Sequence, residues 1–202
     1  MADSEEKKEG RRRQILAAAK ETFAERGFHQ ASINDIIKRA DIARGTFYLY
    51  FPGKDAVFES ILDDAIDELR GRIVAVDISA GAAPAGLQLH QNVSRVLEYV
   101  FGDRALIRVV LAHGLAPDSD AAQRVEAFFG HVRDLIEASL RYGITVGIVR
   151  QCDPELVSSA ILGAIRGAIR HLVTDRDAPD VPKIAQELID FALRGVIVPD
   201  RW

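Results

Sequence analysis

The sequence predicts an all-α protein. Apolar residues recur at the three- and four-residue spacings of amphipathic helices, and no segment shows the alternation of an extended strand. Turn-forming glycine, proline and aspartate residues fall between these periodic segments. Apolar residues make up 48% of the 202-residue chain. That content can fill a core, so disorder is excluded for most of the length.

The first two predicted helices have clear boundary signals. An amphipathic helix is expected from about residue 11 to residue 26, and Gly27 supplies the left-handed conformation that ends it. Ser32 is a good N-cap for a short second helix over residues 33–40, because its hydroxyl can accept a hydrogen bond from a free amide of the first turn.

The second helix and the segment after it predict a helix-turn-helix. A three-residue turn over residues 41–43 leads to a third helix over residues 44–51, which Pro52 and Gly53 stop. The apolar residues of the two short helices and their turn are spaced so that the helices can pack against each other at a steep angle. They are Ile33, Ile36, Ile37, Ile42, Phe47 and Phe51.

The outward face of the third predicted helix suits DNA. Arg44 can pair with a guanine edge through two hydrogen bonds, and Gly45 lets the backbone approach a base closely. The hydroxyls of Thr46, Tyr48 and Tyr50 can donate to phosphate oxygens. The alternative is that the aromatic residues form the core of a small bundle. Tyrosines flanked by threonine and lysine are hard to bury, however, which favours DNA binding.

The charge distribution agrees with a DNA-binding N-terminus. Residues 1–54 hold 11 of the 26 basic and 8 of the 30 acidic residues, a net charge of +3. The remainder holds 15 basic and 22 acidic residues, a net charge of −7. Because phosphate contacts favour Lys and Arg, this asymmetry points to nucleic acid at the N-terminal end.

The remaining segments form the predicted body. A long fourth helix is expected from Lys54 toward Val76, followed by a connection rich in Gly, Ala and Pro over residues 79–86. We predict a helix-turn-helix DNA-binding domain over residues 1–54 and a helical domain over residues 55–202. Five body helices are expected near residues 85–101, 104–115, 121–142, 154–174 and 181–198.

Small residues on the last two helices predict a dimer interface, because they let another helix approach closely. The alternative is a central helix of a monomer. The predicted interface residues are Ala160, Gly163, Ala164, Gly167, Ala168, Leu188, Phe191, Ala192 and Gly195.

Other kinds of site have little support in the sequence. The single cysteine, Cys152, forbids an intramolecular disulfide and fits a reducing cytoplasm. His90, His113 and His131 have no metal-binding spacing, so we expect no metal and no cofactor. No nucleophile–base pair or phosphate-binding glycine loop indicates an enzyme. No apolar run is long enough for a membrane span or signal peptide, so the sequence predicts a soluble, cytoplasmic protein.

The segment from Gly45 to Val57, which reads GTFYLYFPGKDAV, resembles the signature of the tetracycline-repressor-like (TetR) family. The resemblance spans about residues 11–58. It implies a repressor that binds a double-stranded, palindromic DNA operator as a homodimer and is released by a small-molecule effector, here unknown. Residues 55–202 would then form the helical effector-binding and dimerisation domain. It places Arg44, Gly45 and Leu49 at bases, and Asn34 is a further contact. It places five residues at phosphates, namely Ser32, Thr46, Tyr48, Tyr50 and Lys54.

Two departures from the family pattern concern the turn and the helix after it. Asp41 stands where the family usually has glycine, and aspartate tolerates a left-handed conformation better than most residues. Ala43 replaces the usual serine cap, so the recognition helix loses a cap that is typically worth about 1 kcal/mol.

The effector site is less defined. Aromatic and basic residues of the body fit a pocket wall, and the alternative for each is ordinary core packing. The candidates are Tyr99, His113, Phe128, Phe129 and Arg166. A constitutive or architectural DNA-binding regulator without an effector is the alternative function.

Overall fold

The computed structural model describes the backbone of residues 2–113, 119–174 and 181–196. Side chains are described over the same ranges except at residues 2–4, 112–113, 171–174 and parts of the last helix. The described residues form helices and no β-strand, which confirms the all-α prediction. The helices are α1 (Ala2–Gln30), α2 (Ile33–Ala40), α3 (Arg44–Tyr50), α4 (Lys54–Arg72), α5 (Ala85–Gly102), α6 (Arg104–His113), α7 (Asp120–Thr145), α8 (Pro154–Thr174) and α9 (Val181–Val196).

Helix α1 begins earlier than its apolar pattern predicts. It starts at Ala2, not near residue 11, because the charged segment before the apolar stripe continues the same helix. Glu, Lys and Arg are good helix formers, and Arg12 pairs with Glu9 one turn away at 3.8 Å. At the other end Gly27 has φ 74° and ψ 159°, which interrupts the helix at the predicted position.

Helix α4 ends at Arg72, four residues before the predicted Val76, because a distant side chain binds the backbone that follows. The buried Asn92 accepts a hydrogen bond from Val74 N at 3.0 Å through Oδ1. Its Nδ2 donates to Val74 O at 2.7 Å. Both backbone groups of Val74 are therefore paired outside a helix, which stabilises an extended segment there.

The chain divides into two compact units. The first comprises Met1–Ala65 and Arg104–Phe128. In its core the ring centroid of Phe28 lies 5.5 Å from that of Phe23 and 4.9 Å from that of Phe58. Helix α6 packs against α1 in this unit, although it follows the predicted domain boundary in sequence. The head therefore includes a helix that is distant along the chain.

The second unit comprises Ile66–Asp103 and Phe129–Trp202. Helix α9 packs against α5 and α8, and the Tyr142 hydroxyl of α7 donates to Val76 O at 3.2 Å. Its core is aliphatic and aromatic, as expected for amphipathic helices packed face to face. Buried members include Leu97, Phe101, Leu140, Ile148, Leu162, Ile169 and Ile189.

Candidate nucleic-acid interface

The first helix of the helix-turn-helix, α2, is capped at its N-terminus by its own residues. Asp35 N donates to Ser32 Oγ at 3.2 Å, and Ser32 N donates back to Asp35 Oδ2 at 3.0 Å. The Ser32 hydroxyl also donates to the same carboxylate oxygen at 2.6 Å. This reciprocal capping box satisfies amides that the helix leaves without partners, and it confirms Ser32 as the predicted N-cap.

Asp35 is the charged centre of this cap. Hydrogen bonds from the Ser32 side chain and backbone lower the pKa of its carboxyl group, and the charge of Arg26 adds to the effect. Arg26 Nη1 lies 2.9 Å from Asp35 Oδ1. A carboxylate in the first turn of a helix also interacts favourably with the helix dipole.

Helix α2 is tied to α1 at its other end as well. Gln14 Nε2 donates to Ala40 O, the last carbonyl of α2, at 2.6 Å. Arg39 pairs with Glu25 of α1 and lowers the pKa of that carboxyl group. Together with the Arg26 pair, these contacts hold α2 in one orientation on α1.

The turn after α2 depends on Asp41. It adopts φ 48° and ψ 55°, the left-handed conformation in which the family has glycine. Its N–H reaches Lys38 O at 3.4 Å, and Ile42 N donates to Ile37 O at 3.3 Å. Aspartate therefore replaces glycine in a C-cap of the usual geometry, as the sequence predicted.

Helix α3 lacks such a cap at its start. Ala43 occupies the N-cap position with an extended backbone and no side-chain hydrogen bond, as predicted. The helix is held by burial instead, because Phe47 and Phe51 lie in the core. Phe47 contacts Phe51 with ring centroids 6.2 Å apart. The opposite face of α3 consequently points to solvent.

This outer face carries the three residues expected at bases, Arg44, Gly45 and Leu49, together with Tyr48, which is expected at a phosphate. Arg44, Gly45, Tyr48 and Leu49 are all exposed. Leu49 has 80% of its surface accessible. The Arg44 guanidinium lies 5.9 Å from the Tyr48 ring centroid and 3.4 Å from Asn34 Oδ1. Asn34 and Arg44 thus form one polar surface at the edge that the two helices share.

The residues expected at phosphates are placed less uniformly. Tyr48 is 45% exposed, whereas Thr46 and Tyr50 are half-buried. Tyr50 borders a surface groove of about 320 Å³ lined also by Glu5, Lys8, Glu9 and Arg12. The Ser32 hydroxyl is engaged with Asp35 but remains on the surface.

Lys54 differs from the other predicted phosphate residues. Its Nζ donates to Phe28 O at 2.7 Å and to Ala31 O at 3.1 Å. It also lies 4.3 Å from the Phe28 ring centroid. The sequence showed a cation at the right place in the motif but carried no signal for these partners, since they lie 23 and 26 residues away.

Arg12, like Lys54, is bound by groups within the protein. It donates to both carboxylate oxygens of Asp64 on α4, at 3.1 and 3.0 Å, and these contacts raise the pKa of its guanidinium. Arg124 of α7 bridges Asp55 and Glu59 on the first turns of α4, each at 3.2 Å. These three ion pairs fix the N-terminal half of α4 in the first unit.

The described candidate effector residues are divided between the two units. The Arg166 guanidinium lies 4.1 Å from the Phe129 ring centroid in the second unit. In the same unit, Tyr99 is covered by Arg72 at 4.3 Å. Phe128 is buried and belongs to the first unit. The His113 side chain lies outside the described residues.

The predicted dimer face is largely open in the single chain. On α8, Ala160, Gly163 and Gly167 are exposed, and Ala164 and Ala168 are half-buried. Leu156, one turn earlier on the same face, is 68% exposed. On α9, Phe191 is 70% exposed, and Leu188 and Ala192 are half-buried. Gly195 lies outside the described side chains.

The described residues were also compared with the requirements of a metal site and of a membrane-spanning helix, and they meet neither. Among them, no group of three or more His, Cys, Asp or Glu side chains could hold a metal ion. None of the helices in the described ranges is both long and apolar enough to cross a membrane.

Comparison with known proteins connects this interface to a family. Residues 15–61 match the sequence model of bacterial regulatory proteins of the tetR family. The chain is 25% identical over 184 residues to the fatty acid metabolism regulator protein of Bacillus subtilis (strain 168), covering 91% of this chain and 94% of that protein. It is 23% identical over 168 residues to the transcriptional repressor DhaR of Mycobacterium sp. (strain GP1), covering 82% and 84% of the two chains.

A solved structure extends the likeness to the whole fold. The transcriptional regulator FadR from Bacillus subtilis, crystallised with stearoyl-CoA, superposes with a TM-score of 0.72 at 24% identity. The superposition covers 90% of this chain and 97% of that one.

The capped α2, the left-handed turn and the exposed face of α3 form a helix-turn-helix whose second helix is free to enter the major groove of DNA. Residues 15–61 thus match the tetR family of bacterial regulatory proteins, and over most of its length the chain is similar to individual transcriptional regulators.

Proposed function

We propose that this protein is a dimeric transcriptional repressor that binds a palindromic operator through α3 and is released from it by a small-molecule effector. The observation that carries the proposal is the outer face of α3. An arginine, a glycine and an 80%-exposed leucine face solvent from a helix whose other face is buried. One face thus offers a cation, room for close approach of the backbone and an apolar contact, and these are the features that base edges in the major groove can meet.

On DNA, Arg44 would donate to the O6 and N7 atoms of a guanine. Leu49 would contact the methyl group of a thymine, for which an apolar side chain is suited. Gly45 would let the backbone approach the base edges, because it has no side chain and the space where a Cβ would stand is open, with nothing within 4 Å. Tyr48, Thr46, Tyr50 and Ser32 would donate to phosphate oxygens, with Asn34 beside them.

Reading a palindrome needs two copies of this face about 34 to 36 Å apart, one turn of B-DNA. The open faces of α8 and α9 support dimerisation there. Small residues would let the helices approach closely, while Leu156 and Phe191 would lose most of their exposed surface. Such a four-helix interface is two-fold symmetric, so it presents the two heads symmetrically.

The effector class is suggested by relatives. One is named a fatty acid metabolism regulator, and FadR was crystallised with stearoyl-CoA. Long-chain acyl-CoA thioesters are therefore the first probes to test. The alternative, a constitutive regulator without an effector, is favoured if neither these nor other metabolites change operator affinity. A DNA-binding regulator of this kind acts in the cytoplasm, where the bacterial chromosome is.

The DNA-reading role is tested by comparing Arg44→Ala with Tyr48→Phe in anisotropy titrations against operator and unrelated DNA. Arg44→Ala should lower the ratio of specific to non-specific affinity by about 5- to 150-fold, since a base contact is worth about 1 to 3 kcal/mol. Tyr48→Phe should weaken binding to both DNAs alike, because a phosphate contact carries no sequence information. An unchanged specificity ratio for Arg44→Ala would contradict its assigned role.

The regulatory role is tested with the wild-type protein on its operator while stearoyl-CoA is titrated. Allosteric coupling is typically about 1 to 3 kcal/mol, so operator affinity should fall by about 5- to 150-fold. By linkage, the operator should weaken binding of the effector by the same factor. Free coenzyme A is the control for the nucleotide part, and stearate is the control for the chain.

A further inference from the structure

Lys54 occupies the first position of α4, where its ammonium group faces the corner between α1 and α2. Nζ donates to the carbonyl of Phe28 at 2.7 Å and to that of Ala31 at 3.1 Å. Phe28 lies in the last turn of α1, and Ala31 lies in the two-residue link before α2. One side chain therefore ties the start of α4 to the end of α1 and to the link that leads into α2.

These carbonyl groups need a partner from outside α1. The last four carbonyls of a helix accept no hydrogen bond within it, and Phe28 O is among them. The helix already departs from regular geometry at Gly27, whose carbonyl accepts from Ala31 N at 3.2 Å. A cation at the C-terminal end of a helix also interacts favourably with the dipole. Lys54 supplies both the donors and the charge.

The ring beneath the ammonium is itself fixed. The Phe28 centroid lies 4.3 Å from Nζ, and the ring is packed on Phe23 and Phe58 of the core. Two carbonyls and an aromatic face thus surround a group that has only three hydrogens to donate. A phosphate bound by Lys54 would compete with these partners.

We propose that Lys54 is a positioning residue of the head, which fixes the corner from which α2 starts, and that it does not hold a phosphate. Ser32, the N-cap of α2, directly follows Ala31, so loss of the ammonium would release the capped end of α2 from α4. This inference rests on the proposed DNA-binding function, because the orientation of α2 and α3 affects function only through the surface that these helices present to DNA.

The test compares Lys54→Met with Lys38→Met. Methionine keeps an unbranched apolar stem and removes only the ammonium. Lys38 is an exposed lysine of α2, so its substitution removes the same charge from the same domain. Hydrogen exchange of the DNA-free proteins is measured at the amides of residues 31–36. Lys54→Met should accelerate exchange there by about tenfold or more, as expected for losing hydrogen bonds from a charged donor, and Lys38→Met should not.

The second readout is the salt dependence of binding to non-specific DNA. Losing one phosphate contact per head would lower the slope of log K against log salt concentration by about two for a dimer. A positioning role leaves the slope of Lys54→Met equal to that of Lys38→Met. Unchanged exchange overturns the proposal, and so does a slope lowered by about two relative to that control.

Lys54→Arg provides a variant that keeps the charge if Lys54→Met fails to fold. A planar guanidinium cannot replace a compact ammonium between two carbonyls without a shift, so exchange at residues 31–36 should still accelerate. Wild-type exchange at these amides would overturn the proposal here too. Hydrogen exchange is measured without DNA, so it tests the positioning role of Lys54 whether or not the wild type binds an operator. Failure of the wild type to bind an operator would count against the proposed function alone.

Discussion

The two helices of the helix-turn-helix are similar in length but are stabilised in different ways. Helix α2 has a reciprocal capping box at its start and a left-handed C-cap at Asp41. Helix α3 has no side-chain cap at Ala43, and its last turn is closed by the Phe51 N–H, which donates to Phe47 O at 3.0 Å. Local hydrogen bonds define α2, whereas burial of two aromatic rings defines α3.

This difference separates stability from recognition. The stabilising contacts of α3 are on its buried face, so Arg44, Tyr48 and Leu49 on the outer face contribute little to folding. Substitutions on this face should therefore leave the domain folded while altering the surface that we propose contacts DNA. Helix α2, which contributes fewer expected base contacts, carries the local hydrogen bonds that keep the motif in place.

The largest effect on stability is expected from removing Phe47, the buried ring that holds α3 in the core. Phe47→Ala should lower the free energy of unfolding by about 3 to 5 kcal/mol, because it deletes a fully buried aromatic ring and leaves a cavity. Chemical denaturation followed by circular dichroism measures the change. Leu49→Ala is the matched control on the same helix, and its effect should stay within about 0.5 kcal/mol. Similar losses for both would show that α3 is not anchored by its buried face.

The next test removes the cap of α2. Ser32→Ala should cost about 1 kcal/mol, since it deletes the acceptor for Asp35 N and the donor to the Asp35 carboxylate. Denaturation at pH 7 measures the loss. Thr46→Ala removes a hydroxyl from α3, for which no capping role is seen, and should cost less. Equal costs would argue against the capping box as the main local support of α2.

The same cap should give a pH dependence. The pKa of Asp35 is lowered below its usual value of 3.8, so its contribution to stability is present above that value. The contribution is lost as the pH falls through the lower pKa of the folded state. The stability difference between wild type and Ser32→Ala should therefore be constant near neutral pH and shrink in acid. A difference that grows toward low pH would contradict this account of Asp35.

The motif was predictable from sequence because its signals are local. Helix α2 begins after Ser32 and ends before Asp41, as predicted. The sequence also shows that Ala43 has no side chain that could cap α3. The all-α fold followed from the periodicity of apolar residues. Signals of this kind need only neighbours within one helical turn.

Features that depend on distant residues were not predictable. The end of α4 is set by Asn92, 18 residues beyond Val74, and the amide of an asparagine gives no sign of its partner. Lys54 carries a charge that suits phosphate, yet its carbonyl partners lie on another helix and its link. The early start of α1 was missed because a charged helix without an apolar stripe has no periodic signal.

A smaller test adds to α3 the cap that it lacks. Ala43 has φ −71° and ψ 149°, the extended backbone of an N-cap residue. Ala43→Ser should raise the free energy of unfolding by about 0.5 to 1 kcal/mol, because its hydroxyl can accept from the amide of Gly45 or Thr46. Denaturation measures the gain, and Ala43→Val is a control that adds volume without an acceptor. No gain with serine would mean that α3 is already fully ordered by burial.

The smallest expected effect comes from giving the turn its usual glycine. Asp41 has φ 48° and ψ 55°. Glycine is unstrained in this left-handed conformation, whereas the Cβ of alanine comes too close to the carbonyl oxygen that follows it. Asp41→Gly relieves the residual strain but gives the unfolded chain more freedom, so the two effects nearly cancel and stability should change by less than about 0.5 kcal/mol. Asp41→Ala, which lacks both the polar side chain and the freedom of glycine, should cost about 1 kcal/mol. Denaturation of the three proteins under one condition measures both differences. If glycine and alanine cost the same, the turn is not limited by its left-handed residue, and the C-cap of α2 depends on the Asp41 side chain instead.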